Sequence, residues 1–151
     1  MSVPGLGELD RLKAQYPDKF LPEHEVFAHI RRGDRIFLGT ACGEPQHLVQ
    51  ALTDYVKAHP KAFFDAEIIQ VWTLGVAPYT DERLKSNFRL NAFFIGNNMR
   101  TAINAGLADY TPIFLSPDPD LFNRRIISID IALSQTLLRA QALQLLGRRP
   151  A

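Results

Sequence analysis

Three short glycine-bearing stretches hold the residue types that can do chemistry. The first is Gly39-Thr40-Ala41-Cys42-Gly43-Glu44-Pro45, the second Thr73-Leu74-Gly75 and the third Gly96-Asn97-Asn98. Each follows an apolar run, and the first and third open patterns of helical period. Glycine suits a backbone that turns tightly or passes close to another group. A helix N-terminus presents free N–H groups and a partial positive charge, so these two turns suit an anion: a carboxylate, a phosphate or a developing oxyanion. The spacing Gly-x-x-x-Gly-x-Pro is not the G-x-G-x-x-G of dinucleotide sites. A strand-to-helix turn of this kind also occurs with no ligand, and both readings stand on the pattern alone.

Within the turns, Cys42 has two readings. A thiol near a helix N-terminus has a lowered pKa and is a nucleophile. A lone cysteine is more often a small buried residue, and that reading is favoured. Asn97 reads as a helix cap. Arg100, one turn further on, either pairs with a carboxylate or is a solvated surface arginine. His24, His29, His47 and His59 lack ligand-like spacing with Asp, Glu or Cys, so no metal site is expected. Trp72 and the pairs Phe63-Phe64 and Phe93-Phe94 read as core.

The elements that must position these turns alternate. Pro22 to Arg32 has Val26, Phe27 and Ile30 on one face, with proline suited to the start and Gly33 to the stop of a helix. Asp34 to Leu38 is a short strand, and Pro45 to Ala58 an amphipathic helix with Leu48, Val49, Leu52, Tyr55 and Val56 inward. "EIIQVW" (Glu67 to Trp72) and "LNAFFI" (Leu90 to Ile95) are further strands. Between them, "GVAPYTDERL" is a loop with one helical turn at Asp81–Ser86. Asn97 to Ala105 is a short helix, "TPIFL" a fourth strand and Ile127–Leu133 a fifth. Near-continuously apolar strands alternating with helices predict an α/β domain. It has a mostly parallel sheet of about five strands with flanking helices on both faces and right-handed crossovers. In such sheets ligands bind outside the carboxyl ends of the strands, where the three turns should meet. From Thr136 the leucine-rich "TLLRAQALQLLGRR" predicts an added helix.

Composition narrows the class. At 151 residues, with 46% hydrophobic and 22% charged, the chain suits one soluble globular domain. A net charge of +1 gives no reason to expect nucleic-acid or membrane-surface binding. Residues 131–151 carry Arg139, Arg148 and Arg149 and no acid, which leaves the body slightly acidic. One cysteine excludes an internal disulfide and fits a reducing compartment. No run approaches the roughly 20 apolar residues that span a bilayer, and the N-terminus lacks the basic-then-apolar pattern of a secretory signal. A cytoplasmic protein is expected.

"GDRIFLGTACGEPQHLVQAL", "LGVAPYTDERLKSNFRLNAFFIGNNMRTAINAGLADYTPIFLS" and "ISIDIALSQ" together resemble the N-terminal domain of the acetyl-CoA hydrolase/transferase family, of the 4-hydroxybutyrate or butyrate:acetate CoA-transferase type. The match covers about Leu21 to Gln135, placing the domain at 1–135 and leaving 136–151 as a helical tail outside the family pattern. The resemblance implies a Rossmann-related, CoA-transferase-like fold and an enzyme of two related α/β halves. CoA passes between carboxylic acids by way of a glutamate that attacks the acyl-CoA carbonyl, with backbone donors for the developing oxyanion.

Carried over, the substrate-binding positions are Ala41, Cys42, Gly43, Glu44, Pro45, Gln46, Gly75, Gly96, Asn97 and Arg100, and no residue of this chain is catalytic. No cofactor is bound covalently; coenzyme A or an acyl-CoA enters as substrate. The family's catalytic glutamate belongs to a second half with no counterpart in these residues, and nothing suggests that Glu44 replaces it. Where the family has Ser-Glu-x-Pro, this chain has Ser116-Pro117-Asp118-Pro119. The domain alone is therefore expected to be inactive, to lack its partner half or partner subunit, and to self-associate through surface that half would cover. The competing reading is a non-catalytic module for a carboxylate or CoA-like ligand.

Overall fold

The computed structural model describes residues 6–114 and 118–135. Strands β1 (Arg35–Leu38), β2 (Ala66–Trp72), β3 (Phe88–Phe94), β4 (Asp109–Tyr110) and β5 (Ile131–Leu133) form one sheet in the order β4-β3-β2-β1-β5. Every pairing is parallel, with Ile36 beside Ile68 and Ile131, and Ile68 beside Leu90. The helices are α1 (Leu6–Gln15), α2 (Glu23–Phe27), α3 (Gln46–Ala58), α4 (Asn97–Asn104) and α5 (Asp118–Asn123).

The period-two alternation of the strands divides the core between the two faces. On one face Ile36, Leu38, Ala66, Ile68, Phe88, Leu90, Ile131 and Leu133 pack against Val26, Phe27 and Ile30, against Leu48, Val49, Leu52 and Val56 of α3, and against Met99 and Ala102 of α4. On the other, Ile69, Val71 and Phe93 make a smaller cluster with Phe37, Ile113, Phe122 and Ile127. The amino-terminal half of that second face is polar. Arg35 Nε donates to Glu67 Oε2 (2.7 Å), Asn91 Nδ2 to Glu67 Oε1 (3.3 Å) and Thr111 Oγ1 to Asn91 Oδ1 (2.8 Å). Arg35 Nη1 also reaches Ser128 Oγ (2.9 Å), so the ladder crosses the sheet from beside β5 to the end of β4.

Several expected boundaries shift, each for a local reason. The α2 helix stops at Phe27 rather than Arg32. Asp34 Oδ2 accepts from the Arg31 N–H (2.8 Å), and Gly33 turns the chain at φ +76°, a conformation glycine adopts without strain. The fourth strand lies at Asp109–Tyr110 and not at 111–115. Pairing ends when Thr111 N bonds to Ala92 O, because Pro112 has no N–H to continue it. The fifth strand is Ile131–Leu133; before it, Asp130 bonds to both the N–H and the C=O of Arg35. The single turn expected at Asp81–Ser86 is two 3₁₀ turns, Pro78–Thr80 and Glu82–Leu84, the second capped by Asp81 accepting from Arg83 N. Of the aromatic residues read as core, Phe63 and Phe93 are buried, while Phe64 and Trp72 are 41% and 47% exposed. The tail helix expected from 136 lies outside the described residues.

Candidate functional site

At the carboxyl edge of the sheet, the exits of β2 and β3 diverge into an open cleft of about 390 Å³. It is lined by Trp72, Thr73, Leu74, Ile95, Gly96, Asn97 and Asn98. Two of the three glycine turns form it directly, and the first stands behind it. The side of Gly96 is filled by the Asn98 side-chain oxygen, the Thr73 carbonyl and the Trp72 indole nitrogen. A Cβ there would lie 2.8, 2.9 and 3.3 Å from them. The α4 helix opens at the cleft with Gly96 as its cap residue and no capping side chain. Asn97 is thus the first helical residue, not a side-chain cap. Asn98 does the tying instead, its Nδ2 donating to Gly75 O at 2.7 Å.

The first turn reaches the cleft through its side chains. Thr40 Oγ1 accepts from Trp72 N and donates to Trp72 O, both at 2.7 Å. Glu44 is 6% exposed. Its Oε1 accepts from Gln70 Nε2 (3.1 Å), and its Oε2 from the N–H groups of Leu74 (3.1 Å) and Gly75 (2.9 Å). Gln70, fully buried, accepts through Oε1 from the hydroxyls of Thr73 and Tyr79. Burial first, and then the negative charge of Glu44, raises the Tyr79 hydroxyl well above the ordinary tyrosine value, so it is a neutral donor at physiological pH. Gln46 Oε1 accepts from Val76 N (3.1 Å), while its Nε2 is buried without a partner among the described residues.

Of the carried-over positions, Gly96 and Asn97 line the cleft. Glu44 and Gln46 lie behind its wall against Gly75, and Pro45 is buried at the start of α3. Cys42 is exposed, which overturns the buried reading: Ala41–Gly43 form a 3₁₀ turn, with Ala41 at φ 51°, that holds the thiol in solvent. Arg100 is exposed on α4 and outside the cleft lining. His47 pairs with Glu23 across the α2–α3 contact. Thr73, Leu74 and Asn98 of the second and third turns also line it, as do Trp72 and Ile95, which the sequence reading left as core and strand. Their signal is position: each is the last residue of a strand or lies within two residues of a turn glycine. Trp72, Leu74, Val76 and Ile95 leave an apolar rim, at 47, 52, 58 and 37% exposure. Among the described residues no group of three or more His, Cys, Asp or Glu side chains is placed to hold a metal, and no helix is long and apolar enough to cross a membrane.

Comparison with known proteins bears on the fold and the family. The crystal structure of RipA from Yersinia pestis superposes with a TM-score of 0.68 at 21% identity, covering 82% of this chain and 30% of that one. A structure of a RipA mutant gives a TM-score of 0.71 at 22% identity over the same shares. Those likenesses establish the fold. In sequence, the 4-hydroxybutyrate coenzyme A transferase of Clostridium kluyveri is 34% identical over 120 residues, 80% of this chain and 27% of the relative. The succinyl-CoA:acetate/propanoyl-CoA:succinate CoA transferase of Fasciola hepatica is 37% identical over 109 residues, 72% of this chain and 22% of the relative. The chain thus spans about a quarter of the length of these relatives. The family model for the acetyl-CoA hydrolase/transferase N-terminal domain matches residues 6–144, and the chain belongs to that family.

Proposed function

We propose that this domain supplies the carboxylate and acyl wall of a site for CoA transfer between carboxylic acids, and that a second half or partner subunit supplies the nucleophilic glutamate. The observation that carries the reading is the cleft itself: the exits of β2 and β3 enclose it, and the open N-terminus of α4 faces into it. The free N–H groups and positive end of α4 suit the carboxylate of an acid or the oxygen of an acyl group. The rim of Trp72, Leu74 and Ile95 suits a short alkyl chain. The N–H groups of Leu74 and Gly75 are engaged by Glu44, so the anion site falls to α4. Among the described residues that line the cleft none carries a carboxylate, which supports a domain that binds and leaves the nucleophile to another part. The share of the relatives that the chain spans favours completion by a second half over a free-standing binding module.

The test is an amide-resolved NMR titration of the chain with acetate, butyrate and acetyl-CoA. Shifts centred on residues 72–76 and 95–98 support the site. Saturable shifts centred elsewhere, or none at millimolar ligand, refute it. Acetyl-CoA hydrolysis or transfer by the purified chain should be absent.

A further inference from the structure

The exit of β2, residues 72–76, is held at six backbone groups by side chains from its neighbours. Thr40 takes the N–H and C=O of Trp72, Glu44 the N–H groups of Leu74 and Gly75, Gln46 the N–H of Val76, and Asn98 the C=O of Gly75. A parallel strand leaving its sheet loses its ladder partners, and buried backbone groups must then find others. Here they find side chains of the first and third turns. Among the described residues only Glu44 brings a charge to this frame, and it alone closes two N–H groups at once.

We infer that Glu44 is a positioning residue: its carboxylate sets the 73–76 wall of the cleft, and it is neither a substrate contact nor a nucleophile. Both oxygens are committed, one to Gln70 and one to two backbone donors, and the residue is sealed from solvent. A nucleophilic carboxylate needs a lone pair facing its electrophile; turning Glu44 outward would break three hydrogen bonds and leave Gln70 Nε2 unpaired inside the core. The network also says which substitution is tolerated. A glutamine at 44 can keep its carbonyl on the Leu74 and Gly75 donors and turn its amide toward Gln70. Gln70 then flips, and the hydroxyls of Thr73 and Tyr79 accept in place of donating. Alanine offers no such rearrangement and strands both backbone donors. The link from this wall to ligand binding rests on the proposed function; the wall-setting role does not.

The experiment follows amide hydrogen exchange at Leu74 and Gly75 against Ile68 in the centre of β2, in the intact chain and in Glu44→Ala and Glu44→Gln. Glu44→Ala should speed exchange at Leu74 and Gly75 by about tenfold or more relative to Ile68, and Glu44→Gln should restore most of that protection. Should Glu44→Ala not fold, Glu44→Gln against the unsubstituted chain still decides: Leu74 and Gly75 should keep their protection relative to Ile68. Equal loss of protection at all three amides in Glu44→Ala, no change there at Leu74 and Gly75, or loss of their protection in Glu44→Gln would overturn the assignment. So would acetyl-CoA turnover that Glu44→Gln abolishes. A parallel titration with acetate and coenzyme A separates the two readings: if neither binds, the functional reading fails while the exchange comparison still settles Glu44.

Discussion

Alanine at Gly75 and at Gly96 should have opposite consequences, although both glycines sit in cleft-forming turns. Neither has a positive φ, so the difference lies in what a methyl group would strike. At Gly96 it would meet the Thr73 carbonyl at 2.9 Å and Asn98 Oδ1 at 2.8 Å, where ordinary contact begins at 3.4 Å. The Thr73 oxygen is backbone at the end of β2 and must move by about half an ångström. Overpacking of that kind costs about 1–3 kcal/mol. Displacing Asn98 also forfeits its bond to Gly75 O, about 1 kcal/mol more. Stiffening the unfolded chain returns about 0.4–1 kcal/mol, leaving a net loss of about 1–3.5 kcal/mol. At Gly75 the methyl would sit 1.9 Å from Gln46 Nε2, a nominally worse clash, but with the free end of a flexible side chain. Gln46 would swing out, losing one bond to Val76 N at about 1 kcal/mol and releasing a buried donor that has no partner among the described residues. With the same gain of about 0.4–1 kcal/mol from the unfolded state, the net is within about 0.5 kcal/mol of zero. At about 2–4 °C per kcal/mol for a domain of this size, Gly96→Ala should lower the midpoint of thermal unfolding by about 2–14 °C, and Gly75→Ala by no more than about 2 °C. Circular-dichroism melts of the three proteins decide it. A Gly75→Ala protein destabilised as much as Gly96→Ala would refute the distinction between a rigid and a yielding neighbour.

Further outcomes are expected. Tyr79 is raised by burial and by the charge of Glu44, so its contribution to stability is fully present below its unfolded value of about 10 and is lost as pH rises toward the folded value. Denaturant melts between pH 9 and 11.5 (roughly one unit below to one and a half above that value) should show this alkaline loss, and Tyr79→Phe should flatten it. The Arg83 guanidinium holds the Asp81 carboxyl at about 2, so a carbon-detected titration should place Asp81 there, and Arg83→Gln should bring it back toward the ordinary aspartate range. Exposed Cys42 should react stoichiometrically with a thiol reagent in the folded state, with a rate that mild denaturant barely changes. The apolar rim should drive self-association visible by light scattering at tens of micromolar, and replacing Leu74 and Val76 by serine should reduce it.

The sheet was legible because its signal is local. Runs such as Glu67–Trp72 and Leu90–Ile95 are too apolar for anything but a strand covered on both faces, and the intervening helices fix parallel pairing. The meeting of the three turns followed from topology alone. What escaped was set by long-range polar contacts. Trp72 reads as core by composition, yet it ends its strand at the edge where the sheet opens, and the first turn uses Thr40 to grip its backbone and leaves the ring outside. Glu44 reads by resemblance as a substrate-binding position in the first turn; its burial depends on backbone donors thirty residues away, at Leu74 and Gly75. Asp109–Tyr110 carries almost no strand character and pairs only because α4 returns it beside β3.

The place of β5 beside β1 has a consequence for how the chain is made. Arg35 must wait for Asp130, 95 residues later, before its backbone finds that neighbour. During synthesis β1, β2 and β3 emerge in order and can pair as they leave the ribosome, but the outer flank of β1 stays open until almost the whole domain has been translated. An open strand flank is a template for other chains. A stalled ribosome or a proteolytic nick between Asn123 and Ile131 would release a species that has β2 on one side of β1 and nothing on the other. Such a product is prone to aggregate even though most of its residues are native.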